Sequence, residues 1–172
     1  MSAAPGGKIV ALPSLVARLA GLPGDRGGLV LANGIFDLIH VGHVRYLAGA
    51  KEAGSTLVVA LNSDASARRL KGKGRPLMPL SERMEIVAAL ECVDWVTSFE
   101  ENSVEQVLRR IVPGVHAKGT DYTVESVPER AVAQSLGIRT VIVGDPKRHA
   151  TSDLIQRIGK SSAAGPKGSL RG

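Results

Sequence analysis

Two histidines three positions apart, His40 and His43, flank a glycine in GIFDLIHVGH (34–43), directly after the apolar run LVLA (29–32). Imidazoles donate hydrogen bonds to anions, and a pair at i and i+3 around a helix start projects to one side. The chemistry open to such a pair is electrostatic: stabilising the negative charge that grows on a phosphoryl oxygen while a nucleotide's α-phosphate is attacked, rather than abstracting a proton. Gly42 removes the side chain that would keep a triphosphate off the backbone. The spacing alone is equally compatible with one packed and one surface histidine in a chain that has four. The surroundings decide.

Short apolar runs alternate with helical patterns. LVLAN (29–33), TLVVALN (56–62), VDWVTSF (93–99), VHAKG (115–119) and RTVIVG (139–144) read as strands, unbroken in their apolar character as where helices cover both faces of a parallel sheet. Between them HVRYLAGAKEAG reads as a helix ending at Gly54 and SERMEIVAALE as one capped by Ser81 after Pro79. NSVEQVLRRIV is stopped by Pro113 and VPERAVAQSLG by Gly137. Right-handed β-α-β crossovers then give an α/β fold, a doubly wound Rossmann-like parallel sheet of about five strands, with binding groups collected at the carboxyl ends of the strands. Residues 1–27 are expected to form a leading helix (PSLVARLAGL) and a Gly-rich link, 28–159 the domain, and 160–172 a flexible basic tail. On this fold NGIFDLIHVGH leaves the first strand and begins the first helix, where free N–H groups and the helix dipole favour an anion. Neither G-x-G-x-x-G nor G-x-x-x-x-G-K-[S/T] is present, so another device must hold the phosphates.

G-x-F-D-x-x-H-x-G-H after a first strand resembles the signature of the cytidylyltransferase-like nucleotidyltransferases. The likeness runs over about residues 28–158, through LNSDASARRLKGKGRPLMPLSERMEIVAALECVDWV and AKGTDYT, and is nearest to the branch of adenylyltransferases acting on D-glycero-D-manno-heptose 1-phosphate. It implies transfer of AMP from ATP to that sugar 1-phosphate, giving pyrophosphate and an ADP-heptose for lipopolysaccharide or surface-glycan synthesis. It also implies Mg2+ carried mainly by the ATP phosphates, with no protein ligand assigned, and a homodimer, as relatives often are. The sugar kinase fused to this domain in many relatives is expected as a separate chain, because 28 residues precede the first strand.

The same resemblance makes His40, His43 and Lys118 catalytic. It gives the nucleotide Asn33, Gly34, Ile35, Phe36 through its backbone, Asp37, Gly42, Gly119, Asp121, Thr151 and Ser152. Asn62, Ser63 and Asp64 face the acceptor, Lys71 lies near phosphates with Arg68 and Arg69 as weaker candidates, and Arg83 contacts a phosphate. Asp37 either orients a histidine, reaches the metal or caps a helix start. DPKRHATSDLI departs from the family's S-T-T-x-x-I run: Ala150 lacks a hydroxyl and His149 is new, leaving Thr151 and Ser152 between phosphate binding and N-capping. A sister reading transfers CMP to glycerol 3-phosphate by identical chemistry. H-x-G-H also occurs in aminoacyl-tRNA synthetases, but their lysine-rich second signature is missing and the chain is short for tRNA-binding domains.

Composition narrows the classes further. At 172 residues and 44% hydrophobic the chain can bury a core without disulfides, and no apolar run approaches the roughly 20 residues of a membrane span. The weakly apolar N-terminus is broken by Pro13 and Arg18, against a signal peptide and for a cytoplasmic location. The single cysteine, Cys92, reads as a core residue. Net charge is +6 and pI about 9.8, yet Lys160, Lys167 and Arg171 of the tail carry half of the excess. RRLKGKGR (68–75) concentrates five cations in eight residues with no aromatic among them, which suits a small polyanion better than a stacked nucleic acid.

Overall fold

The structure, a computed structural model, describes residues 5–21 and 26–145. Five parallel strands, β1 (Leu29–Gly34), β2 (Thr56–Asn62), β3 (Trp95–Phe99), β4 (Val115–Gly119) and β5 (Arg139–Val143), lie in the order β3-β2-β1-β4-β5. Seven helices accompany them among the described residues: α1 (Pro5–Lys8), α2 (Leu12–Ala20), α3 (Val41–Glu52), α4 (Asp64–Lys71), α5 (Leu80–Ala88), α6 (Glu105–Ile111) and α7 (Arg130–Ser135).

Strand alternation sorts the core into two layers. Leu29 and Leu31 of β1 with Val58 and Ala60 of β2 meet Leu15 of α2, Leu108 of α6 and Ala133 of α7. Val30, Ala32, Leu57, Val59 and Leu61 point the other way, onto Leu47 of α3 and Val87 of α5. The central strands are therefore apolar at consecutive positions, the reason the sequence shows runs rather than alternation. Each such leucine or valine contributes about 1.5–3 kcal/mol by leaving water.

The chain winds outward from β1 through β2 to β3, then crosses back to β4 and β5. Adjacent connections thus leave β1 and β4 toward opposite ends of the sheet, and a crevice opens between their carboxyl ends. The leading segment packs onto the body: Val10 N–H donates to Val96 O at 2.9 Å, and α2 buries Leu15 and Leu19. Pro13 sits in the first turn of α2, where a missing N–H costs little.

Three local expectations change. RRLKGKGR, where no helix is expected from the pattern, begins inside α4, whose N-cap Ser63 accepts from Ser66 N–H. Helix α5 starts at Leu80 with Pro79 in the cap position, so Ser81 is not its cap. Cys92 is half-buried at the margin of the α3 and α5 layer rather than within it.

Candidate active site

His40 is the N-cap of α3 and His43 its third residue. Gly42 N–H donates to His40 Nδ1 at 3.1 Å, and His40 N–H to His43 Nδ1 at 3.4 Å, so two orphan donors of the helix start are satisfied by imidazole nitrogens. With Nδ1 accepting, Nε2 is the nitrogen of each ring left to donate. The rings lie 3.9 Å apart between centroids, tilted by 31°. Burial, then the neighbouring His40, push the His43 pKa down to about 4, against a backbone hydrogen bond to Leu38 that raises it. His43 is therefore a neutral donor at pH 7.

Aromatic packing holds this wall in place. Phe36, buried and in the left-handed region at φ 51°, puts its ring edge-on to His43 at 5.3 Å and stacks on Tyr46 at 6.3 Å. Gly34 is required for that arrangement: a Cβ there would stand 3.0 Å from the Phe36 ring. Tyr46 donates its hydroxyl to Ala117 O at 2.9 Å, tying α3 to β4, and its burial drives the phenol pKa upward.

The facing wall is charged. Lys118 at the end of β4 is buried, with Nζ 3.3 Å from Glu129 Oε2, 3.5 Å from Asn33 Oδ1 and 4.8 Å from the centre of the Tyr122 ring. His116, two residues earlier on the same strand face, lies 3.1 Å from the same Asn33 oxygen through Nε2. Burial first and the Lys118 charge second lower the His116 pKa to about 4, with Glu129 opposing. It is thus a neutral ring, and because Oδ1 can only accept, its proton sits on Nε2. Ser103 completes the array, 3.5 Å from Glu129 Oε1.

A third group of contacts ties the strand ends to the helices that follow them. Arg83 is fully buried and donates to Met78 O at 3.1 Å, Asn62 O at 3.0 Å, Asp64 Oδ1 at 2.7 Å and Ile35 O. It joins the ends of β1 and β2 to the starts of α4 and α5. Asp37, also buried, accepts from Leu77 N–H, Met78 N–H and Arg75 Nη1 at 2.7, 3.1 and 2.6 Å.

These walls enclose a cleft of about 670 Å³ at the carboxyl edge of the sheet. Of the residues expected at a site, Asn33, Gly34, Ile35, Phe36, Asp37, His40, Gly42, His43, Asn62, Lys71, Lys118, Gly119 and Asp121 line it. Ser63, Asp64 and Arg83 do not: the first caps α4, the second pairs with Arg83, and the third spends its donors on the protein's own carbonyls. Arg69 does not line it either, and bonds Asn102 Oδ1 at 2.8 Å and Glu100 O. Both oxygens of Asp37 hold the 75–78 segment. Thr151 and Ser152 lie outside the described residues. Sequence reasoning missed Arg75, Tyr122 and Glu129, all of which line the cleft. Among the described residues no group of three or more His, Cys, Asp or Glu side chains could hold a metal ion, and no helix is long and apolar enough to cross a membrane.

A family model described as Cytidylyltransferase-like matches residues 31–159. The chain belongs to that family. Within the cytidylyltransferase-like family its similar relatives include the Bifunctional protein HldE of Klebsiella pneumoniae subsp. pneumoniae, 42% identical over 134 residues, which cover 78% of this chain and 28% of that protein. Bifunctional protein HldE of Geobacter metallireducens is 46% identical over 130 residues, covering 76% and 26%. The chain thus spans about a quarter of the length of these curated relatives. Among solved structures, the lipopolysaccharide core biosynthesis protein of Thermoplasma volcanium GSS1 superposes with a TM-score of 0.59 at 23% identity, over 69% of this chain and 98% of that one. Pantoate-beta-alanine ligase of Francisella tularensis gives 0.59 at 13% identity, over 84% and 68%. At these identities the two superpositions speak for the fold alone.

Proposed function

We propose that the chain transfers AMP from ATP to D-glycero-D-manno-heptose 1-phosphate, releasing pyrophosphate and an ADP-heptose that serves lipopolysaccharide or surface-glycan synthesis. The observation that carries the reading is the pair of imidazoles at the start of α3, each with Nδ1 occupied, across the crevice from a buried ammonium. An acceptor phosphate oxygen, already anionic, attacks the α-phosphorus. The bond from that phosphorus to the bridging oxygen breaks, and pyrophosphate leaves with the electron pair. No general base is needed, so positioning and charge stabilisation supply the catalysis. His40 and His43 donate to the α-phosphoryl oxygens as their charge rises, and Lys118 neutralises the triphosphate.

Mg2+, when bound, would offset triphosphate charge, and the carboxylates Asp37, Asp121, Glu129 and Asp145 of the cleft, which among the described residues gather into no group of three, suit an ion held mainly by the phosphates themselves. Gly119 and Asp121 border the nucleotide. Asn62 and Asn102, which line the cleft, offer polar groups to the sugar hydroxyls. A site that hydrogen-bonds those hydroxyls discriminates against a small polyol, which leaves its groups unpaired. The choice of heptose and of ATP is supported by ANGIFDLIHVGH, LNSDASARRLKG and AKGTDY taken together. A homodimer and a kinase that makes the sugar 1-phosphate belong to the same reading. The test is pyrophosphate release over a grid of four nucleoside triphosphates against heptose 1-phosphate, other sugar 1-phosphates and glycerol 3-phosphate. ATP with heptose 1-phosphate is expected to give the highest kcat/KM, and a preference for CTP with glycerol 3-phosphate discards the substrate assignment.

A further inference from the structure

Because β1 lies between β2 and β4, the residues lining the cleft divide about His40 and His43, which follow β1, into two arms. Lys118, Tyr122 and Asp145 line the arm beyond β4 and β5, while Asn62, Lys71 and Arg75 line the arm beyond β2. A nucleotidyl transfer brings two anions to opposite sides of one phosphorus, so each arm has a phosphate to hold. On the second arm Lys71 is an exposed residue at the end of α4, with a flexible stem. Arg75 is different. Its Nη1 is fixed on Asp37 at 2.6 Å, and Asp37 is itself buried and anchored by Leu77 and Met78 N–H. A guanidinium has five donors in one plane, so a single bond to Asp37 sets the plane and leaves further N–H groups to bind an anion. The Arg75 side chain keeps 22% of its surface exposed and borders the cleft. Gly72 and Gly74, at φ 90° and 83°, shape the turn that brings it there.

We propose that Arg75 binds the phosphate of the acceptor and that Asp37 is its positioning residue, so that this arm selects a phosphate monoester. The inference rests on the transferase reading above for which arm takes the nucleotide. Asp37 then acts through a planar cation held against the 75–78 segment. A lysine at position 75 could not satisfy Asp37 and a phosphate with one fixed plane.

Steady-state kinetics of Arg75→Gln, Arg75→Lys and Asp37→Asn test this, with melting temperatures to identify variants that have lost their fold. Arg75→Gln should raise KM for heptose 1-phosphate by roughly 30-fold or more while kcat and KM for ATP stay within about threefold. Arg75→Lys should recover only part of that loss, and Asp37→Asn should raise the same KM by a smaller factor. An unchanged acceptor KM in Arg75→Gln, or an equal rise for ATP, overturns the proposal. If the wild-type protein instead prefers glycerol 3-phosphate, the substrate reading fails and the same comparison is made with that acceptor. If it turns over neither, calorimetry of inorganic phosphate binding to protein saturated with a non-hydrolysable ATP analogue decides. Binding by wild type that is lost in Arg75→Gln upholds the assignment; binding retained in the variant, or none by wild type, overturns it.

Discussion

The two walls of the cleft hold their polar groups by opposite means. On the α3 wall the imidazoles take backbone N–H groups at Nδ1, and His43 leans on Phe36. On the β4 wall an ammonium is held by a buried carboxylate and an amide oxygen. Desolvation explains the difference. Burying a neutral imidazole costs little and keeps it neutral, which leaves His43 a donor with a pKa of about 4. Burying a charge costs several kcal/mol unless a partner compensates, and Glu129 is that partner for Lys118. One wall supplies directional N–H groups, and the other a cation already half neutralised.

The largest effect expected from breaking this contrast lies on the charged wall. Lys118→Met leaves Glu129, only 4% exposed, without its counter-charge and should cost about 3–5 kcal/mol in urea denaturation. Lys118→Met with Glu129→Leu should regain most of that stability while turnover stays low. Equal destabilisation by the single and double variants would mean that Glu129 is not held by Lys118.

A smaller effect sharpens the same contrast through pH. His43 and His116 both sit near pKa 4 in the folded chain against 6.5 when unfolded, so between those values the unfolded state binds more protons. Folding stability should therefore be insensitive to these rings above pH 6.5 and decline as pH falls from 6.5 toward 4. His116→Gln should flatten part of that decline, and NMR titration of the ring protons should show both imidazoles neutral at pH 6. A midpoint near 6.5 for either ring would contradict the burial argument.

The strands and the α3 start were legible because they depend on local patterns: consecutive apolar residues for a sheet covered on both faces, and glycine with histidine at a helix start. Helix α4 was not, since it buries only Ser66 and Ala67 and has no apolar stripe to announce it. Its N-cap serine was the one available signal. Arg83 looked like a surface or phosphate residue because charge usually stays in water, yet three carbonyls from separate segments and the Asp64 carboxylate converge on it. Asp37 bonds 38 to 41 positions away, a separation that no local pattern encodes. Asn33, His116 and Lys118 could have been grouped by strand parity only with the knowledge that β1 and β4 are neighbours.

The proposed chemistry turns on the imidazoles at the start of α3 stabilising the transferring phosphoryl group. Its most direct test is the single-turnover rate of pyrophosphate release at saturating ATP and acceptor, measured for wild type and for His43→Ala together with the Kd for ATP. The rate should be lower by roughly 100-fold or more and the Kd changed by less than about threefold, as for a donor that acts mainly in the transition state. A near-normal rate in His43→Ala would contradict it.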